Sequence, residues 1–332
     1  MGAWLGLAQL AALFIGAFAW HIQSSFAARD NVAMEYPNKP IRFIVPFVPG
    51  GGTDTVARVI AKELTDVWGQ PVVADSRPGA AGAIALTTTA QANPDGYTIC
   101  LISASQSVNS AINPHLPYDI EKDLQAITQA ASIFYVLSVA NSVPATSVRE
   151  LIAYAKANPG KLNFGSSGVA GLQHLAGEMF GHLAGVKLTH VPYKGGAALL
   201  PAMAAGDVQV GFTALVNVRP YIANGRVRVL AVTSKKRVAM MPDWPTVDEA
   251  GVPGYEIDQW YGVVTAAKVP RAIVRKLSTA IADAIRSPEA VQRLSGDGSV
   301  PVGSSPEQFA VYITSEMAKW RKLVKSANLV LN

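Results

Sequence analysis

Val45-Pro46-Phe47-Val48-Pro49-Gly50-Gly51-Gly52-Thr53-Asp54-Thr55-Val56-Ala57-Arg58 is the stretch from which the fold can be read. An apolar, β-type run (Ile41 to Val45) enters a loop of two prolines and three glycines, and Val56, Val59, Ile60, Leu64 and Trp68 then recur at helical spacing. The order is strand, glycine loop, helix N-terminus. Glycines allow close backbone approach to a ligand, and the unpaired N–H groups of a first helical turn carry positive potential, so the segment suits an anion. A plain βα turn capped by Thr53 or Asp54 is the alternative. No Lys-Ser/Thr follows at P-loop spacing and no G-x-G-x-x-G order is present. Asp54 in the first turn would repel a polyphosphate, which leaves a small carboxylate, reached directly or through water, as the better fit.

Outward from this loop, strands and helices alternate. Pro40 to Val45 reads as a strand and Thr55 to Trp68 as a helix stopped by Gly69 and Pro71. Val72 to Ala74 is a short strand, Ala83 to Ala92 a helix, and Tyr97 to Ile102 a strand entered by an Asn93-Pro94-Asp95-Gly96 turn. A second set starts with the strand Phe134 to Val139 and the Ser147-capped helix Val148 to Ala157. Leu162 to Phe164 then leads into Gly165-Ser166-Ser167-Gly168-Val169-Ala170-Gly171 and the helix Leu172 to Leu183, repeating the strand, small-residue loop, helix order. Val208 to Phe212 and Val227 to Thr233 are strands, Gln259 to Thr265 a return strand, and Arg271 to Arg286 and Pro306 to Ser326 closing helices. Such alternation predicts α/β architecture with mostly parallel sheets.

Composition narrows the function. The chain has 332 residues, 50% of them hydrophobic, enough for about two domains. A net charge of +5 without a basic, aromatic-interleaved stripe argues against nucleic acid. Cys100, the single cysteine, excludes an internal disulfide and reads as a small apolar residue on a buried strand. Ala3 to Trp20 is apolar except Gln9, and Ser25-Phe26-Ala27 has the form of a signal-peptidase site, so residues 1–28 are expected to be an export signal cleaved after Ala27 or Ala28. No Lys or Arg precedes the apolar run, and about 18 apolar residues border on a spanning length, so a retained anchor is the alternative.

Nucleophile and metal motifs fare poorly. Gly165-Ser166-Ser167-Gly168 fails the G-x-S-x-G frame because Val169 stands where the last glycine is needed, and His115, His174, His182 and His190 show no partner pattern. Ser166 and Ser167 suit hydrogen bonding to a carboxylate. His174 and His182, eight residues apart on one helix, are too distant for one metal unaided. Lys194, in Val191-Pro192-Tyr193-Lys194-Gly195-Gly196, adds positive charge near a ligand or is simply solvated.

Several motifs together resemble the Bug family, the TctC-type periplasmic receptors of tripartite tricarboxylate transport. They are Tyr36-Pro37-Asn38-Lys39-Pro40 through Asp54, Arg77-Pro78-Gly79-Ala80-Ala81-Gly82, Pro94-Asp95-Gly96-Tyr97-Thr98, Leu116-Pro117-Tyr118-Asp119, His174-Leu175-Ala176-Gly177-Glu178, Val191 to Gly196, Leu230-Ala231-Val232-Thr233-Ser234, and Pro245 to Glu256. The resemblance implies a two-lobed Venus-flytrap, periplasmic-binding-protein fold. Its lobes would be residues 36–136, residues 137–258, and a return segment 259–332 belonging mainly to the first lobe. It implies a cleft built from Phe47, Val48, Gly50, Gly51, Gly52, Thr53 and Asp54, from the serine loop with Ser103 and Ser105, and from Gly165, Ser166, Ser167, Gly168, His174, Lys194 and Gly195 of the second lobe. Ser76, Leu172 and Pro201 depart from the family pattern, and Leu172 would make the second-lobe wall more apolar. The function expected is capture of a small organic carboxylate for membrane permease subunits, by a monomer without metal or cofactor. Docking on a sensor kinase and a periplasmic serine hydrolase using Ser166 or Ser167 are the alternatives.

Overall fold

The computed structural model describes residues 35–49, 52–166, 168–169, 171–193, 196–238, 241–296 and 298–327. The export segment and the candidates Gly50, Gly51, Ser167, Lys194 and Gly195 lie outside these residues. Two mixed sheets form the frame. The first contains β1 (Ile41–Val45), β2 (Val72–Ser76), β3 (Thr98–Ser103), β4 (Leu124–Ile133), β10 (Gln259–Ala266) and β11 (Ser299–Pro301), in the order β11-β4-β10-β3-β1-β2. The second contains β5 (Tyr135–Ala140), β6 (Asn163–Ser166), β7 (Thr189–Pro192), β8 (Val210–Ala214) and β9 (Val227–Val232), in the order β7-β6-β8-β5-β9.

Within the first sheet β1 pairs in parallel with β2 and β3, and β10 lies antiparallel between β3 and β4. In the second, β6 pairs in parallel with β7 and β8, while β5 runs antiparallel to β8 and β9. The α/β architecture expected from the alternation is therefore present; most strands of each sheet point one way, as expected, but β10 and the short β11 are reversed in the first sheet and β5 in the second, so both sheets are mixed.

Helix α1 (Gly52–Trp68) shows why the opening stretch folds as it does. Val56, Val59, Ile60 and Leu64 fall on one buried face against the first sheet. Gly69 takes the left-handed conformation (φ +63°) that stops the helix, and its N–H donates to the Thr65 carbonyl (2.9 Å). Beyond β2, a short 3₁₀ turn (Ala80–Gly82) precedes helix α2 (Ala83–Ala90), with Ala80 and Ala81 at positive φ between Gly79 and Gly82. Helices α3 (Ala104–Ile112), α4 (Val148–Ala157), α5 (Leu172–Ala184), α6 (Gly196–Ala205), α7 (Leu215–Ala223), α8 (Arg271–Ala284), α9 (Pro288–Gly296) and α10 (Pro306–Ala327) complete the frame. No helix among the described residues is long and apolar enough to cross a membrane.

One apolar core runs through both sheets. Ile44, Cys100, Ile102 and Trp260 of the first share it with Leu137, Phe164 and Phe212 of the second. Cys100 is fully buried, as its apolar neighbours anticipate, and burial pushes its thiol up to about 12, out of the reactive thiolate range. Helix α10 packs on β4 and α3 and also touches α5, so it ties the two sheets together along one side.

Candidate functional site

Strand directions decide which edges face each other. Strand β4 ends at Ile133 and β5 begins at Tyr135, so Phe134 alone carries the chain from one sheet to the other. Strands β1, β3 and β4 point the same way, which puts their C-terminal ends on the side of that crossing. Tyr135, at the start of β5, is in register with Ala214, at the end of β8, and β6 runs parallel to β8. Both sheets therefore turn their C-terminal edges toward the junction, the position at which open α/β sheets bind ligands.

On the first edge, Phe47 is half-buried and Val48 is 65% exposed. Thr53 and Asp54 are buried in the first turn of α1, where both Asp54 oxygens accept from Arg58 Nε at 2.9 Å. This pairing one turn along the helix offsets part of the carboxylate's charge near the loop. Tyr261 of β10 is in register with Ser103, and a Cβ added to Gly52 would lie 2.5 Å from the Tyr261 hydroxyl. Gly52 is thus required for close approach of tyrosine and loop. Tyr135 packs against the cluster that contains Tyr261, and burial and Tyr261 both push its phenol far above the ordinary range.

The segment Ser103 to Ser107, expected as a loop, is instead the start of α3. Ser103 caps it: its N–H and hydroxyl both donate to Gln106 Oε1 (2.8 and 2.9 Å), and Gln106 Nε2 donates to the Ala81 carbonyl (3.2 Å). That S-x-x-Q spacing is a capping-box signal present in the sequence. Ser103, Gln106 and Ser107 are buried, whereas Ser105 is partly exposed.

On the second edge, Gly165 and Ser166 belong to β6 rather than to the loop after it. A Cβ on Gly165 would collide with Leu199 of α6, so this glycine serves helix-on-sheet packing. The Ser166 hydroxyl is fully buried, turned back onto Gly168 and onto His190 Nε2 at 2.7 Å. His174, in the first turn of α5, stacks on His190 with centroids 3.8 Å apart and places Nε2 3.6 Å from Glu178 Oε1. Phe164 stacks on His190 as well (4.9 Å), in space that Gly177 leaves open. Burial, and next the neighbouring His174, lower His190 to about 4, against the pull of Glu178, so it is neutral at pH 7.

Gly52, Thr53, Asp54, Ser103 and Ser105 thus gather on one edge, with Ser166, Gly168 and His174 on the facing one. Tyr261, Tyr135 and the contact between Ser166 and His190 escape sequence reasoning. Tyr261 reads there only as part of a return strand, and His190 meets Ser166 only through the parallel pairing of β6 with β7, in which Phe164 lies opposite His190.

Two sheets whose C-terminal edges face one junction agree with what the chain resembles. It belongs to the tripartite tricarboxylate transporter receptor family, TctC, whose pattern it matches over residues 56–329. Among relatives, the "UPF0065 protein in tcbD-tcbE intergenic region" of Pseudomonas sp. (strain P51) is 36% identical over 298 residues, covering 90% of this chain and 89% of that protein. BugT of Bordetella pertussis is 33% identical over 298 residues, covering 89% and 91%. Rpa4515 of R. palustris, solved with adipate, has TM-score 0.73 at 36% identity and covers 88% of this chain and 98% of its own. MatC (Rpa3494) from Rhodopseudomonas palustris, with bound malate, has TM-score 0.70 at 29% identity, covering 87% and 100%. A ligand-free TctC solute-binding protein from Polaromonas has TM-score 0.80 at 25% identity, covering 87% and 99%.

Proposed function

We propose that this chain is a periplasmic receptor that closes two lobes over a small organic carboxylate and presents it to membrane subunits of a tripartite tricarboxylate-type transporter. One observation carries the reading: in each sheet a strand ends at the C-terminal edge shortly before a helix N-terminus, β1 before α1 and β6 before α5, and the two edges face one junction. Each terminus favours negative charge, so a solute with a carboxylate at either end is the best fit. The adipate and malate of the related structures are of that class. In this reading the lobes are residues 36–134 with 259–332, and residues 135–258; the boundary falls two residues earlier than the expected 136, because Tyr135 and Val136 already belong to β5 of the second sheet. Residues 1–28 act as the export signal.

Closure is a population shift, since a ligand touching both loops stabilises the closed form by the contacts it gains there. The phenol of Tyr261, the loop of Gly52 and the partly exposed Ser105 form the first-lobe wall; the segment around Gly168 forms the other.

Thermal unfolding in the presence of adipate, malate, tricarboxylates and acidic amino acids tests the assignment. A ligand at a hundred times its dissociation constant adds about 2.7 kcal/mol to stability, so one class of acid is expected to raise the melting temperature clearly. Neutral amides of the same acids are expected to leave it unchanged. An equal rise with acid and amide, or none with any acid, defeats the carboxylate reading.

Gly52→Ala tests the first wall. Its Cβ would meet the Tyr261 hydroxyl at 2.5 Å, so loop or ring must move. Affinity for the acid found in the screen is expected to fall by about 1–3 kcal/mol, the usual size of an overpacking effect. Isothermal calorimetry showing wild-type affinity in this variant would remove the loop from the site.

A further inference from the structure

Around the Ser166 hydroxyl the hydrogen bonds can be counted. Its oxygen lies 2.9 Å from the Gly168 carbonyl, 3.1 Å from the Gly168 N–H and 2.7 Å from His190 Nε2. A hydroxyl has one hydrogen to donate and two lone pairs to accept with. The Gly168 N–H can only donate and the Gly168 carbonyl can only accept. Were the serine hydrogen given to His190, the carbonyl oxygen would face a lone pair at 2.9 Å. Given to the carbonyl, it leaves both lone pairs for Gly168 N–H and for a hydrogen on His190 Nε2, and every partner is satisfied.

We propose that His190 is the positioning residue of the turn after β6: as the Nε2–H tautomer it holds the Ser166 hydroxyl against Gly168 and so fixes the backbone at Gly168. The ring is held by its stacking on Phe164 and His174, and by the parallel register of β7 on β6. Gly168 stands where the held turn needs a backbone that side chains rarely adopt (φ +141°), with open space beside it. The proposed tautomer also argues against the serine-hydrolase alternative for Ser166. A histidine that donates from Nε2 has no lone pair there to accept the serine proton, and the hydroxyl is buried.

This inference rests on the reading of the loop as a ligand contact, and two readouts separate them. His190→Phe keeps an aromatic stack and removes the donor; His190→Gln keeps a donor and removes the ring. With adipate as probe, calorimetry is expected to show about tenfold weaker binding in His190→Phe, the usual range for a lost buried hydrogen bond, and affinity nearer wild type in His190→Gln. Amide hydrogen exchange at Gly168 in the ligand-free protein is expected to speed up in His190→Phe and not in His190→Gln, with similar melting temperatures for all three. Long-range ¹H–¹⁵N spectra should place the ring proton on Nε2. A proton on Nδ1, or wild-type exchange at Gly168 in His190→Phe, overturns the proposal whether or not adipate binds. Faster Gly168 exchange supports it even if the wild type ignores adipate, in which case only the choice of ligand fails.

Discussion

Trp260→Ala is expected to lower the stability of the protein by about 4 kcal/mol, within the range measured when a buried tryptophan is truncated. Trp260 is fully buried on β10, the strand between β3 and β4. Its indole meets Phe309 (5.5 Å, 84°) and Tyr312 (5.6 Å, 68°) of α10 edge-on, and a Cβ at neighbouring Gly262 would strike Phe309. Truncation therefore opens a cavity where sheet, long helix and common core meet. It also withdraws an N–H from Glu316 Oε2, which lies 3.4 Å from the Nε1 atoms of both Trp260 and Trp320. At 3.4 Å these contacts are long, so packing dominates the loss. Trp260→Phe, which keeps most of the volume, should lose only about 1–2 kcal/mol. Chemical denaturation distinguishes the two: equal losses would assign the effect to the N–H, and no loss in Trp260→Ala would refute the packing account.

Asp258→Asn is expected to remove a pH dependence and to stabilise the protein above neutrality. Asp258 precedes β10 where the chain returns to the first sheet, and its Oδ1 is sealed from solvent without a hydrogen-bond partner. Burial pushes its carboxyl up to about 7; Lys319 opposes this, while Glu256 and Glu316 add to it. Lys319 is itself paired with Glu316. The folded protein therefore keeps a proton that the unfolded chain releases above about 4. For an acid whose pKa is raised by folding, the stabilisation is complete at low pH and is lost as pH climbs toward the folded value. Between pH 5 and 7.5 the wild type should lose about 2 kcal/mol through this group, allowing for its partial contact with solvent. The asparagine variant should lack this component and be the more stable protein at pH 8. Identical slopes of unfolding free energy against pH in the two proteins would show that Asp258 titrates normally.

Where local periodicity and tertiary structure agree, the elements were legible from residues alone. Helix α1 and strands β1 and β3 follow from apolar runs closed by glycine and proline. Strand β4 was not legible, because Gln125, Thr128 and Gln129 interrupt its apolar pattern. Thr128 and Gln129 find partners that local sequence does not show: the Thr128 hydroxyl donates to the Ser304 carbonyl (2.7 Å), the Gln129 N–H to the Ser304 hydroxyl (2.9 Å), and Gln129 Nε2 to the Ser132 hydroxyl (2.9 Å). Helix α3 is rich in serine and asparagine, poor helix formers, and owes its start to the Ser103–Gln106 cap. Of the site, the loops could be read, since glycine and helix spacing are local signals. Tyr261 and His190 could not, because each acts on a loop distant in sequence through strand pairing.

The order in which the sheets are completed has a consequence for how the polypeptide assembles. Strands β5 to β9 lie between Tyr135 and Val232, so the second sheet has all its members before the first does. The first sheet lacks its inner strand until residues 259–266 arrive, and until then β3 and β4 each present an unpaired edge. Open edges of this kind are the sites at which chains pair wrongly with one another. In a chain emerging N-terminus first, the half made earliest is thus the half finished last. Cutting the protein after residue 258 leaves two exposed templates for aggregation rather than a shorter receptor.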